Sequence, residues 1–144
     1  MAPRQDAPPA SQTLSRGIRL LEELADARAP LTIDDRVDAY EREARAWYER
    51  YRRPFWVAET SNLGLAVDDG PVWLDRLTGA IERMRADGLP VHGICWYSRG
   101  DQYDWHTMLV HPVLEVTEVG LFDVDRRPRP VAAAYAALAA RWSA

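Results

Sequence analysis

The sequence predicts an α/β fold with parallel strands, and three observations carry that reading. FWVAET at residues 55–60 begins with an unbroken apolar run through Ala58, the composition of a parallel strand covered on both faces. VHGICW at 91–96 supplies a second strand. Between them, PVWLDRLTGAIERMRADG opens on Pro71, sets Trp73, Leu77, Ala80, Ile81 and Met84 on one stripe, and reaches Gly88 just past its end. Proline at the start and glycine beyond the end are helix punctuation in the expected order. Strand, helix and strand at this spacing form a βαβ unit, whose crossover is right-handed.

The 144 residues are 47% hydrophobic and include six Trp, enough for one domain with a core. Eighteen basic and 22 acidic side chains leave a net charge of −4, so no whole-molecule field attracts nucleic acid or an anionic membrane. A single cysteine, Cys95, excludes an internal disulfide and fits a reducing compartment. The start of the chain lacks the apolar core of a secretory signal, and no segment approaches the roughly 20 apolar residues that span a bilayer. The expected location is cytoplasmic.

In chain order, residues 1–12 hold three prolines and little to bury, which predicts a disordered leader. Leu14, Ile18, Leu21, Leu24 and Ala25 recur at helical spacing before Pro30, predicting an amphipathic helix. A second helix is expected from about Thr32 to Arg52, with Val37, Tyr40, Ala44, Trp47, Tyr48 and Tyr51 on its buried side. Arg53-Pro54 ends it, because proline lacks an N–H and biases its predecessor away from helix. Beyond the second strand, residues 99–116 read as a polar, aromatic loop long enough to be functional. VGLFDVD at 119–125 reads as a short strand, and PVAAAYAALAARW from Pro130 as a closing helix.

Ligands of parallel α/β folds bind at the carboxyl ends of the strands. Glu59 ends the first strand and Trp96 the second, with Asp101, Gln102, Tyr103, Asp104 and Trp105 following. Aromatic faces and carboxylates are the groups that carbohydrate sites use, and one carboxylate can attack an anomeric carbon.

FWVAETSN, then GICWYSRGDQYDW, then VGLFDVDRRPRPVAAAYAAL resemble the last two β/α units of a (β/α)8 (TIM) barrel glycoside hydrolase, closest to family 1, the β-glucosidase type. The resemblance covers roughly residues 35–140. It implies that Glu59 corresponds to the nucleophile of a retaining glycosidase, and that Trp96, Asp101, Gln102, Asp104 and Trp105 correspond to the sugar subsite. Asp104 and Trp105 fall where the family grips the glycone hydroxyls. The segment Ala58-Glu59-Thr60-Ser61-Asn62 departs from the family's Thr-Glu-Asn-Gly. A second, weaker resemblance links residues 11–35 to the opening of an IclR-type winged helix-turn-helix domain, which implies a DNA-binding regulator fragment as the alternative. The sequence after Asp35 lacks the turn and the basic recognition helix such a reader needs, so DNA is not expected as a partner.

The organisation expected is thus a leader over 1–12, a helical segment over 13–34 and a hydrolase-like partial barrel over 35–144. A retaining glycosidase needs two carboxyl groups roughly 5 Å apart, and in the family the acid follows an asparagine. Asn62 is the only asparagine and precedes no glutamate. A complete barrel also takes about 250 residues. The expectation is therefore an incomplete enzyme, inactive alone, acting on a β-glycoside only when complemented, and prone to self-association through open sheet edges. No cofactor is expected; His92, His106 and His111 lack ligand spacing, so no metal is either. Cys95 reads as inert within a buried strand, Trp56, Trp73 and Trp142 as packing residues, and the arginines of ERYRRP and DRRPRP as solvated surface.

Overall fold

The computed structural model describes residues 31–62, 65–107 and 109–143. The expected leader, the helix over 14–25 and all but the end of the helix-turn-helix-like segment lie outside the described residues. Among the described residues the architecture is mixed α/β, with three α-helices, a parallel pair of strands and an antiparallel pair.

Helix α1, Ile33–Tyr51, starts at a capping box: the Asp35 amide donates to the Thr32 hydroxyl at 3.1 Å and the Thr32 amide to the Asp35 carboxylate at 2.9 Å. Two otherwise unpaired backbone donors are satisfied reciprocally. The helix closes where Arg52 adopts the left-handed region at φ 51°, and Pro54 prevents its continuation. Val37 and Ala44 are buried and Tyr40, Trp47 and Tyr48 half-buried, but Tyr51 is exposed; the buried stripe stops a turn before the helix does. Burial pushes the Tyr40 phenol up to about 12.

Strands β1, Phe55–Thr60, and β2, Val91–Trp96, pair in parallel across helix α2, Gly70–Ala86. Helix α2 is the hub. Its Leu77, Ala80, Ile81 and Met84 pack with Val37 and Ala44 of α1 and with Val57 and Val91 of the sheet. Its Leu74 packs with Trp96 and with Val131 and Leu138 of the closing helix α3, Pro130–Trp142. Gly88 takes φ +85° just after α2, a conformation that glycine adopts without steric cost. Trp73 and Trp142 pack against both clusters as expected.

The helices thus cover the face that carries Phe55, Val57, Val91, Ile94 and Trp96. The opposite face departs from the expectation of strands covered on both sides. Trp56 is 66% exposed, and Ala58, His92 and Cys95 are exposed too. Trp56 is therefore not a packing residue and Cys95 is not enclosed, because no described element lies over this face. An apolar run reports that a strand tolerates burial on both sides; a second layer must exist to provide it.

The loop expected over 99–116 contains strand β3, Gln102–Tyr103, which pairs antiparallel with β4, Val116–Thr117. The strand expected at 119–125 is absent. Phe122 forms only isolated bridges, to Gly100 and Pro128, because Asp123 turns the chain by accepting the Arg127 amide at 2.8 Å. Among the described residues no helix is long and apolar enough to cross a membrane.

Glu41 ties α1 to α2: its carboxylate receives Arg45 at 2.6 Å and Arg83 at 2.6 Å. Burial pushes this carboxyl upward, but hydrogen bonds from both arginines outweigh it and hold the pKa below the usual value. A depressed carboxylate contributes stability above its unfolded pKa and loses it as pH falls through the folded value. Glu41→Gln should cost about 0.5–1.5 kcal/mol at neutral pH, discounted because Arg83 is half exposed. Urea unfolding of both proteins at pH 7 and pH 3 checks this: their difference should shrink in acid.

Candidate functional site

The carboxyl ends of β1 and β2 lie at one edge, where the Tyr97 amide donates to the Thr60 carbonyl at 2.7 Å. The sequence expectation of a shared rim required this juxtaposition. How Glu59 is presented depends on the register. Val57 is opposite Ile94 and Thr60 opposite Trp96, so three steps along β1 face two along β2. One extra residue on a strand is a β-bulge, which re-aims side chains. Val57 is buried against the helices, and the Thr60 hydroxyl accepts a hydrogen bond from the Trp73 indole of α2 at 2.9 Å. Both therefore belong to the helix side, and the exposed Ala58 and Glu59 fall between them. Strict alternation would have put Glu59 beneath the helices with Phe55 and Val57. The bulge breaks that alternation, and Glu59 is exposed, bordering a groove with Tyr40, Ala44 and Trp47 of α1. Among the described residues no hydrogen bond or ion pair engages its carboxylate.

The other sequence-named residues are placed differently. Trp96 is buried among Leu74, Val131 and Leu138, and its indole donates to the Val119 carbonyl at 3.0 Å. It is a core residue. Asp101 is 1% exposed at its side chain and pairs with Arg129, itself 14% exposed, while also accepting the Gly120 amide at 2.9 Å. The Asp101 hydrogen bond is the main cause of the raised Arg129 pKa. This corrects the reading of DRRPRP as wholly solvated, since one of its arginines is half of a buried ion pair. Gln102 donates to the Ser98 hydroxyl at 3.0 Å and to the Gly100 carbonyl at 3.1 Å. Asp104, at φ 57°, is buried and accepts the Val113 and Glu115 amides at 3.2 and 3.1 Å. Trp105 stacks on Tyr97, with ring centroids 5.1 Å apart and 35° between planes. The acidic block thus spends its carboxylates within the protein, Asp101 on Arg129 and Gly120 and Asp104 on the loop's own backbone. Glu59 takes no part in that network.

One constellation was not legible in the sequence. The His106 Nδ1 lies 3.0 Å from the Thr117 hydroxyl and its Nε2 3.3 Å from the Glu115 carboxylate. They border a cleft of about 330 Å³ with Asn62 and Val119. Hydroxyl, imidazole and carboxylate in a row have the order of a nucleophilic relay. Here the hydroxyl is buried and also accepts the His106 backbone amide at 3.2 Å, so the chain pins the turn at Trp105–Thr107 onto β4. Residues 11 apart in sequence meet only because β3 and β4 pair. Among the described residues no group of three or more His, Cys, Asp or Glu could hold a metal ion. Comparison of the chain with protein-family models, curated proteins and solved structures finds no match.

Asp101 and Asp104 are structural carboxylates. Asp101→Asn removes one of the two carboxylates that meet the mostly buried Arg129 guanidinium, the other being the exposed Glu118, and should cost about 1–3 kcal/mol; the expected result is a lowered urea midpoint. Gly120→Ala should also destabilise, by about 2–4 kcal/mol, because its Cβ would collide with backbone atoms of Gly100, Asp101 and Phe122. Thermal unfolding with an unchanged midpoint for either variant would contradict this role for the loop.

Proposed function

We propose that the chain is glycoside hydrolase-like, an equivalent of the last two β/α units of a (β/α)8 barrel of the family 1 type, in which Glu59 occupies the nucleophile position. The observation that carries the reading is the bulge. It leaves Glu59, a carboxylate without a partner among the described residues, exposed at the carboxyl end of a parallel strand whose open face a closed barrel would turn toward its interior. Trp56 on the same face and the Tyr97–Trp105 pair beside the strand ends supply apolar surface for sugar C–H groups.

The chemistry is that of a retaining glycosidase. The Glu59 carboxylate attacks the anomeric carbon, a glycosyl ester forms as the glycosidic C–O bond breaks, and the leaving oxygen takes a proton from a second carboxyl group; water then cleaves the ester. The sequence holds no Asn-Glu pair to supply that second group, so these residues by themselves hydrolyse nothing. The substrate is a β-glycoside, and no cofactor takes part.

Incubated alone with an activated aryl β-glucoside, the protein should release no phenol. Mixed with a fragment that supplies the first six β/α units and the acid of a family 1 β-glucosidase, it should acquire turnover, and Glu59→Gln should lower that turnover by roughly 10³-fold or more. Equal turnover by the mixture containing the Glu59→Gln variant would remove Glu59 from the nucleophile role, and no turnover in any mixture would remove the barrel reading.

A further inference from the structure

The two outer edges of the parallel sheet are treated unequally. On β2, side chains cap the backbone: Arg85 donates to the Val91 and His92 carbonyls at 2.7 and 3.0 Å, and the Tyr135 hydroxyl to the Ile94 carbonyl at 3.2 Å. On β1 no described strand pairs with the outer edge. That edge borders a groove of about 490 Å³ whose far wall is Tyr40, Ala44 and Trp47 of α1. The Phe55 amide donates to the Pro90 carbonyl, so alternation directs the N–H and C=O of Trp56 into the groove. An uncovered strand edge is a template for another strand.

We infer that the occupant of the β1 edge is β1 of a second copy, paired antiparallel about a two-fold axis at Trp56. The charges select this partner and this direction. Exposed Arg53 precedes the strand and exposed Glu59 stands near its end. Two antiparallel copies set each Arg53 near the other's Glu59; parallel copies would set like charges together. With the axis at Trp56, the two Trp56 backbones exchange N–H···O=C bonds and their indoles meet on the open face. Phe55 and Val57 of each copy then lie opposite Val57 and Phe55 of the other, below the α1 walls. Pro54 has no N–H to extend the ladder, which confines pairing to this short central register. Arrangements in which one patch meets itself are the commonest route to a symmetric dimer. The sheets of two protomers become one four-stranded sheet, β2-β1-β1-β2.

The inference does not rest on the glycosidase reading, and its test reads mass rather than turnover. Sedimentation velocity of the full chain from micromolar to millimolar concentration should show mass rising toward twice the monomer. Trp56→Lys, at an exposed position, should abolish the rise while leaving the circular dichroism spectrum unchanged. Arg53→Glu and Glu59→Arg should each weaken association at least about tenfold, corresponding to about 1.4 kcal/mol, while an equimolar mixture of the two should recover it as a heterodimer. A monomer at every concentration overturns the inference. So does association that Trp56→Lys leaves intact, or a Trp56 amide protected from hydrogen exchange equally in dilute and concentrated solution, which would mean that the chain covers its own edge.

Discussion

The buried pair of Asp101 and Arg129 is the constraint on which the carboxyl end of the molecule depends. It joins the loop that leaves β2 to the residue just before α3, 28 positions later. The same carboxylate takes the Gly120 amide, at a point where the backbones approach so closely that no Cβ fits. Everything between, including β3, the turn at Trp105–Thr107 and β4, is a chain excursion whose two ends are joined by this ion pair together with backbone hydrogen bonds from Asp101 to the Phe122 carbonyl, Phe122 to the Arg99 carbonyl and Leu121 to the Ser98 carbonyl. A pair so enclosed gains little net stability over an apolar contact, but it has one satisfactory geometry. It therefore fixes where the excursion begins and ends.

Within the excursion, Asp104 repeats the device on a smaller scale, gathering the Val113 and Glu115 amides around one buried carboxylate. The loop rich in acids and rings is thus a self-satisfied structure. The Tyr97–Trp105 ring pair lies in this loop beside the strand ends. Glu59 is unlike these acids. Among the described residues no hydrogen bond or ion pair engages its carboxylate.

Three helices cover one face, centred on α2, and the apolar clusters between them are continuous from Val37 to Leu138. The other face shows Trp56, and the outer edge of β1 shows backbone. Side-chain donors blunt β2, whereas among the described residues β1 is flanked by Arg53, Pro54 and Glu59 and has no strand on its outer edge.

Local signals in the sequence set the three described helices and the two parallel strands in order, but not β3 and β4, which lie in a segment read as loop, nor the strand expected at 119–125, which is absent. Thr32 and Asp35 begin α1 and Arg52 to Pro54 end it; Pro71 and Gly88 bracket α2; Pro130 opens α3. These are local signals, set by capping, missing N–H groups and allowed φ, and they need no distant partner. Glu59 and Trp96 at the ends of parallel strands were legible for the same reason. Packing between distant elements settled which faces are covered, so the exposure of Trp56 and Cys95 could not be read from their apolar neighbours. It also decided that Trp96, Asp101 and Asp104 serve the fold, because a carboxylate or indole has the same letter whether it meets a ligand or a backbone amide many residues away. The bulge is the clearest case: one residue of slip between two strands breaks the alternation that would have set Glu59 with Val57, and slip is a property of the pair, written in neither strand alone.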